Sequence, residues 1–201
     1  MAEAMETKVV SFKNTAMLPP SLLSRIAEAA RHNGIESLRP FSPEQIIVAE
    51  WVQLKCRYGC SNFNRSWCCP PATPTPEKAR EIIAEYSLAL LLESTHFLPN
   101  FYRDDGRKRA SLVRCWKGTV SLERALFLEG YHKAFSLVGE SCSLCKKCVY
   151  PRNCRFPREK RPSLESFSID VIGTLQGLGI TPNLAADVHE AFKYYAVILV
   201  T

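Results

Sequence analysis

The stretch from Thr73 to Ser94, "TPTPEKAREIIAEYSLALLLES", decides the fold. Its first half carries a helix. Thr75 offers a side-chain oxygen as a cap, Pro76 suits the first helical position, and Ala79, Ile82, Ile83 and Tyr86 recur on one side. Its second half, Ser87 to Ser94, is an apolar run bounded by polar residues. It is too short for a buried helix and predicts a strand covered on both faces. A helix that hands over directly to such a strand belongs to a layered packing of helices on a sheet.

The same alternation continues outward. "PSLLSRIAEAARHNG", residues 20–34, puts Leu22, Leu23, Ile26, Ala27 and Ala30 on one helical face, with Gly34 as a stop. "FSPEQIIVAEWVQLKC", residues 41–56, opens like a helix at Ser42-Pro43-Glu44-Gln45, yet Val48, Val52 and Leu54 suit one face of a strand. The pattern predicts a short turn feeding a strand that delivers Cys56 at its end. Residues 95–116 lack periodicity and read as a basic, aromatic loop, followed by a helix over 119–130 with Val120, Leu122, Ala125 and Leu126 inward. Residues 132–141 predict a strand, and residues 161–179 a helix capped by Ser163 with a stripe of Phe167, Val171, Ile172, Leu175 and Leu178. "YYAVILVT" predicts a closing strand. The expectation is a single α/β sandwich with two cysteine-rich metal-binding loops at strand ends. Residues 1–40 form its N-terminal helical segment and 41–201 its α/β metal-binding domain, as one continuous unit.

The chain has 201 residues, 46% hydrophobic and 23% charged, which supports one sizeable core. Its longest apolar run, Tyr194 to Val200, falls well short of the roughly 20 residues of a membrane-spanning helix, so no membrane partner is expected. "MAEAMETK" lacks a basic n-region and an apolar h-region, so the expected compartment is the cytoplasm, where reducing conditions disfavour disulfides. The net charge of +6 is modest, with both signs interspersed, and reads as a soluble surface.

Nine cysteines is an odd number, and eight of them fall in two tight runs. Thiols crowded in a reducing compartment are usually held apart by a metal. In "CSLCKKCVYPRNCRFP", residues 142–157, Cys142, Cys145 and Cys148 recur at a fixed step, and Cys154 follows after five intervening residues. Three such thiolates and a fourth are the ferredoxin way of wrapping an iron–sulfur cube with one loop. The departure is after the third cysteine, where a ferredoxin has a shorter gap and a proline directly behind the fourth; here the proline is Pro157. Zinc is the alternative, since C-x2-C pairs also build tetrahedral zinc sites, but zinc usually draws its pairs from two separate knuckles.

In "CRYGCSNFNRSWCCPP", residues 56–71, Cys56 and Cys60 flank a link whose Gly59 can take positive φ, and Cys69 sits at a stiff Cys-Pro-Pro exit. Trp67 either shields a cluster or is plain core. Cys68 and Cys69 are neighbours that point to opposite sides of an extended segment, which disfavours a shared metal and makes one of them the expected spare. Three thiolates from Cys56, Cys60 and Cys69 leave one iron of a cube open to a small ligand, by analogy with open metal sites. A fourth ligand from Cys115 or Cys68 would close it. Spacing leaves both readings standing.

These two cysteine runs, with "ERALFLEGYHKAFSLVGESCSLCKKC" and "CRFPREKRPSLESFSIDVIGTLQ", resemble a family of small prokaryotic proteins described as predicted metal-binding, with a domain of unknown function. The resemblance covers about three quarters of the chain. It implies metal binding at Cys56, Cys60, Cys69, Cys142, Cys145, Cys148 and Cys154, with Cys68 and Cys115 as additions, and leaves the reaction undecided.

Lys146, Lys147, Arg152, Arg155, Arg158, Lys160 and Arg161 surround the second run. Such density would stabilise an anionic cluster or steer an acidic redox partner, though a solvated charged face is the commoner reason for a charge run. Phe101, Tyr102 and Arg103, with Arg107, Lys108, Arg109 and Arg114, interleave aromatics with cations as single-strand binders do, but Asp104 and Asp105 interrupt them, and nucleic acid is not the expected partner. His32, His96, His132 and His189 stand apart from any nucleophile in sequence, so no hydrolytic pair is predicted, and no glycine-rich phosphate loop occurs. The expected protein is a cytosolic iron–sulfur protein with one or two [4Fe-4S] clusters. It transfers electrons or presents an open iron to a small ligand, and whether it is an enzyme stays open. The rival reading is a zinc-stabilised module for nucleic acid or an acidic protein.

Overall fold

Strand β2, Ala89–Phe97, lies inside a four-stranded antiparallel sheet of order β1-β2-β4-β3. The computed structural model describes residues 17–97, 107–182 and 190–201. β1 is Ser37–Phe41, β3 Phe135–Leu137 and β4 Ala191–Leu199. β2 and β4 pair along their whole length, from Ala89 opposite Leu199 to Phe97 opposite Ala191. Leu90 and Leu92 point to one face with Tyr194, Ala196 and Ile198, while Ala89 and Leu91 point to the other with Tyr195, Val197 and Leu199. Both faces are covered, which is why these strands read as continuous apolar runs.

Helices α1 (Pro20–His32) and α4 (Arg107–Leu128) cover the first face. Leu22, Ile26 and Ala30 of α1 repeat every four residues and are buried against the sheet, and burying a leucine or isoleucine contributes about 1.5–3 kcal/mol. Gly34, at φ 81°, turns the chain out of α1 as expected. α3 (Pro76–Ile83) covers the other face through Ala79 and Ile83, joined by Leu164, Phe167, Ile169 and Leu175. Thr75 caps α3 by accepting the Lys78 N–H. The result is a mixed α/β fold with helices on both sides of the sheet.

Besides β1, where the sequence pattern predicts no strand, three segments differ from it. Where a strand is predicted before Cys56, the chain forms helix α2, Glu50–Gly59. The extended part is confined to a bridge between Val48 and Ile169. Only Val52 of α2 is buried, while Trp51, Leu54 and Tyr58 form an outward stripe at helical spacing. Apolar residues that do not face the core made the segment look like a strand.

α4 begins well before the predicted helix and absorbs much of the predicted loop. Its inward positions are Leu112, Cys115, Trp116, Thr119, Leu122 and Leu126, and a buried threonine and cysteine hid the stripe. Arg114 serves this packing, donating to the His32 carbonyl at 3.0 Å. Phe101, Tyr102 and Arg103 lie outside the described residues, as does His189.

The single helix predicted over 161–179 is broken. Residues 165–167 make one 3₁₀ turn, Ser168 takes a left-handed φ of 62°, and α5 starts anew over Val171–Gly177. Asp170 caps α5 by accepting the Gly173 N–H at 2.9 Å. The break lets Ile169 turn inward and bridge Val48.

Candidate metal centre

Cys56 lies in the last turn of α2 and Cys60 is the residue that ends it, so a spacing of four puts both thiols on one side of the helix. The chain then doubles back. The Phe63 N–H donates to the Cys60 carbonyl at 3.2 Å, and the Asn64 N–H closes the loop onto the Pro70 carbonyl at 2.8 Å. Asn64 makes this turn at φ 54°. The predicted role for Gly59 therefore falls to Asn64, since Gly59 is helical and outside the positive-φ region. The fold-back returns Cys69 to the other two thiols. Cys56, Cys60 and Cys69 line one cavity of about 200 Å³, with Glu140 and Glu165 also on its wall.

The second run leaves from β3, as the sequence pattern predicts. The Val138 N–H donates to the Pro162 carbonyl at 3.0 Å and the Leu164 N–H to the Val138 carbonyl at 2.9 Å, so residues 139–162 form an excursion stitched at its neck. Gly139 sits at that neck. Its N–H donates to the Tyr194 hydroxyl at 3.1 Å, and a Cβ there would lie 2.6 Å from the Tyr194 ring. Cys142, Cys145, Cys148 and Cys154 are all half-buried within the excursion, and the Cys154 sulfur accepts the Phe156 N–H at 3.4 Å.

Three side chains hold the excursion in place. Arg161 forms a two-pronged ion pair with Glu123 of α4, at 2.8 and 2.5 Å, so this cation belongs to the scaffold and is not free for a partner. Trp116 Nε1 donates to the Glu159 carbonyl at 2.7 Å. Trp67, from the first run, donates to the Arg152 carbonyl at 2.7 Å, meets Tyr150 edge-on and carries Lys160 over its ring. It is therefore the clasp between the two cysteine runs.

Cys68 and Cys69 divide between them. Cys69 faces the three-thiol cavity, while Cys68 is buried with Trp116, Val138 and Leu144, against Cys142. Contact with Cys142, then burial, drives the Cys68 pKa far up, with Cys69 and Cys154 adding to it. Burial, then Cys60 and Cys56, pushes the Cys69 thiol up to about 11, against a lowering hydrogen bond from Ser66. Cys56 is raised by burial, by Cys60 and by Glu165. Cys145 is raised by burial and Cys142, while Arg155 pulls it down. Within each group the thiols oppose one another's ionisation, and a cationic centre would relieve that.

Neither source considered for a fourth ligand lines the three-thiol cavity. Cys68 turns toward Cys142, and Cys115 lies in the core under the other sheet face, 3.4 Å from His96 Nε2 and 3.7 Å from Ser94 Oγ. That cysteine and histidine are far apart in sequence, so no spacing reveals their meeting. Glu140 and Glu165 were also missed, because they reach the cavity from separate segments. Among the described residues, no group of three or more His, Cys, Asp or Glu side chains converges on a point that could hold one metal ion.

A larger cleft of about 970 Å³ adjoins the thiols, between α2 and residues 165–172. Cys56, Cys60 and Glu165 line both spaces. Glu165 is exposed, yet the protein packed around its carboxyl raises its pKa.

Among the described residues, no helix is long and apolar enough to cross a membrane. No curated protein and no solved structure matches the chain. Residues 39–200, which include both cysteine runs and the whole sheet except the first residues of β1, match the family described as predicted metal-binding protein (DUF2284), so the chain belongs to that metal-binding family of unknown function.

Proposed function

We propose that the protein holds two iron–sulfur centres, one on Cys142, Cys145, Cys148 and Cys154 and one on Cys56, Cys60 and Cys69, and moves single electrons to or from a small molecule at the three-thiol centre. The supporting observation is the cavity. Three thiols surround a space of about 200 Å³ and do not close on one point. A structural zinc ion needs four donors at about 2.0–2.3 Å from a single position, whereas soft thiolates standing around a space suit a larger body of several metals and sulfides. The donor set fits such a group. Bound there, it would store and pass one electron and leave one metal without a protein thiolate.

The chain's own residues do the rest. The clasp of Trp67 on Arg152 ties the two cysteine runs together. Lys146, Lys147, Arg152, Arg155 and Arg158 are exposed around the second group and would attract an acidic redox partner, as the sequence suggests. Purification without oxygen, followed by iron and sulfide analysis and Mössbauer spectroscopy, tests the reading. Two cubes' worth of both elements, with one distinct iron, is the expected result. A colourless protein loaded with zinc overturns it.

A further inference from the structure

The cleft beside the three thiols shares Cys56, Cys60 and Glu165 with their cavity. We infer that it binds an uncharged small molecule with an aromatic or alkyl body and a thiol or hydroxyl head, the body lying along α2 and the head reaching Cys56, Cys60 and Glu165. This rests on the reading of the three thiols as a metal centre.

Two observations carry it. First, the cleft's volume, about 970 Å³, is in the range of small-molecule sites, roughly 300–1,000 Å³. Second, its walls are mixed. Trp51, Leu54 and Tyr58 from α2 and Ile172 from α5 supply apolar surface that is 44, 55, 79 and 40% exposed, while Cys56, Cys60 and Glu165 form the part shared with the thiol cavity. Exposed apolar residues gathered in one place mark a binding surface. The cleft's other charges are engaged: Asp170 accepts the Gly173 N–H, and the Lys55 ammonium lies 5.0 Å from the centre of the Trp51 ring. The part shared with the thiol cavity therefore favours a head that can donate to a carboxyl and offer a lone pair to a soft metal; a hydroxyl is the better donor and a thiol the better ligand.

The test compares two thiols on oxygen-free, metal-loaded protein by calorimetry and by the electron paramagnetic resonance spectrum of the reduced centre. Phenylmethanethiol and 2-mercaptoethanol carry the same head, so an open metal without the cleft would take both alike. The expected result is at least about a tenfold preference for the aromatic thiol, abolished in Leu54→Arg and reduced in Trp51→Ala, with iron and sulfide unchanged in both. Equal affinities, or a preference that survives Leu54→Arg, overturn the inference. So does a concentration-dependent dimer that Leu54→Arg dissolves, because a second copy is then the occupant. If wild-type protein holds no iron or sulfide, the metal reading fails by itself. Phenylmethanol, followed through Trp51 emission against a Trp51→Phe control, then still tests the cleft: binding lost in Leu54→Arg supports the site, and no binding overturns it.

Discussion

Cys68 and Cys69 are consecutive, yet Cys69 faces Cys56 and Cys60 across the three-thiol cavity while Cys68 is buried against Cys142. The neighbouring thiols thus stand between the two cysteine groups, facing opposite ways. Cys69→Ala is expected to remove the first centre's share of iron and sulfide. Cys68→Ala is expected to leave the total intact while shifting the spectrum of the second centre, because it changes the packing of Cys142. Metal and sulfide analysis with electron paramagnetic resonance on both variants checks this, and a loss of iron in Cys68→Ala with none in Cys69→Ala would reverse the assignment.

The Glu123–Arg161 pair fixes the second cysteine excursion to α4. Its side chains are 12% and 15% exposed, and Glu123 also accepts the Ser136 N–H at 2.8 Å. Glu123→Ala strands a largely buried guanidinium and an N–H of β3 together, a loss of about 3 kcal/mol. The control is Glu129→Ala, which breaks the exposed pair with Arg25 and is expected to cost under about 1 kcal/mol. Urea unfolding of both variants measures the contrast. Equal costs would show that the pair does not hold the excursion.

Gly139 is placed where the excursion leaves the sheet, with the Tyr194 ring against the position of any added Cβ. Gly139→Ala also meets the Tyr195 carbonyl of β4, so it must push β4, the Tyr194 ring or the start of the excursion aside, at about 1–3 kcal/mol. Because Cys142 follows closely, the expected signature is lower stability together with loss of iron from the second centre. A variant with wild-type iron content and an unchanged urea midpoint would contradict the close approach.

Legibility followed what each residue faces. β2 and β4 were readable because both their faces are buried, and α3 because Thr75 and Pro76 mark its start. α2 was misread because Trp51, Leu54 and Tyr58 line a cleft and not the core. The break at Ser168 has no local signal, since a left-handed serine is set by the bridge of Ile169 to Val48, remote in sequence. At the candidate site, spacing marks the two cysteine runs and no more. Which thiol each of Cys68 and Cys69 faces, and the arrival of Glu140 and Glu165, depend on distant segments meeting.

The histidine that sequence left isolated makes a pH prediction. His96 lies on β2, and its ring nitrogens meet Ser94 Oγ at 3.0 Å, Ser111 Oγ at 3.2 Å and Cys115 Sγ at 3.4 Å. Burial holds its pKa below the ordinary histidine value, and Glu36 only partly offsets this. The unfolded chain therefore takes up its proton first as pH falls, near the reference value of about 6.5. Above that value the contribution of neutral His96 to stability is fully present; it declines as pH drops toward the lower folded pKa and levels off beyond it. His96→Gln cannot titrate. The difference in urea midpoint between wild type and His96→Gln, compared at about pH 7.5 and about pH 5.5, isolates this group from the thiols. Wild type should lose more stability than the variant on acidification. Parallel losses would mean that His96 is protonated as easily in the fold as out of it, and that the Ser94–His96–Cys115 cluster does not exclude water.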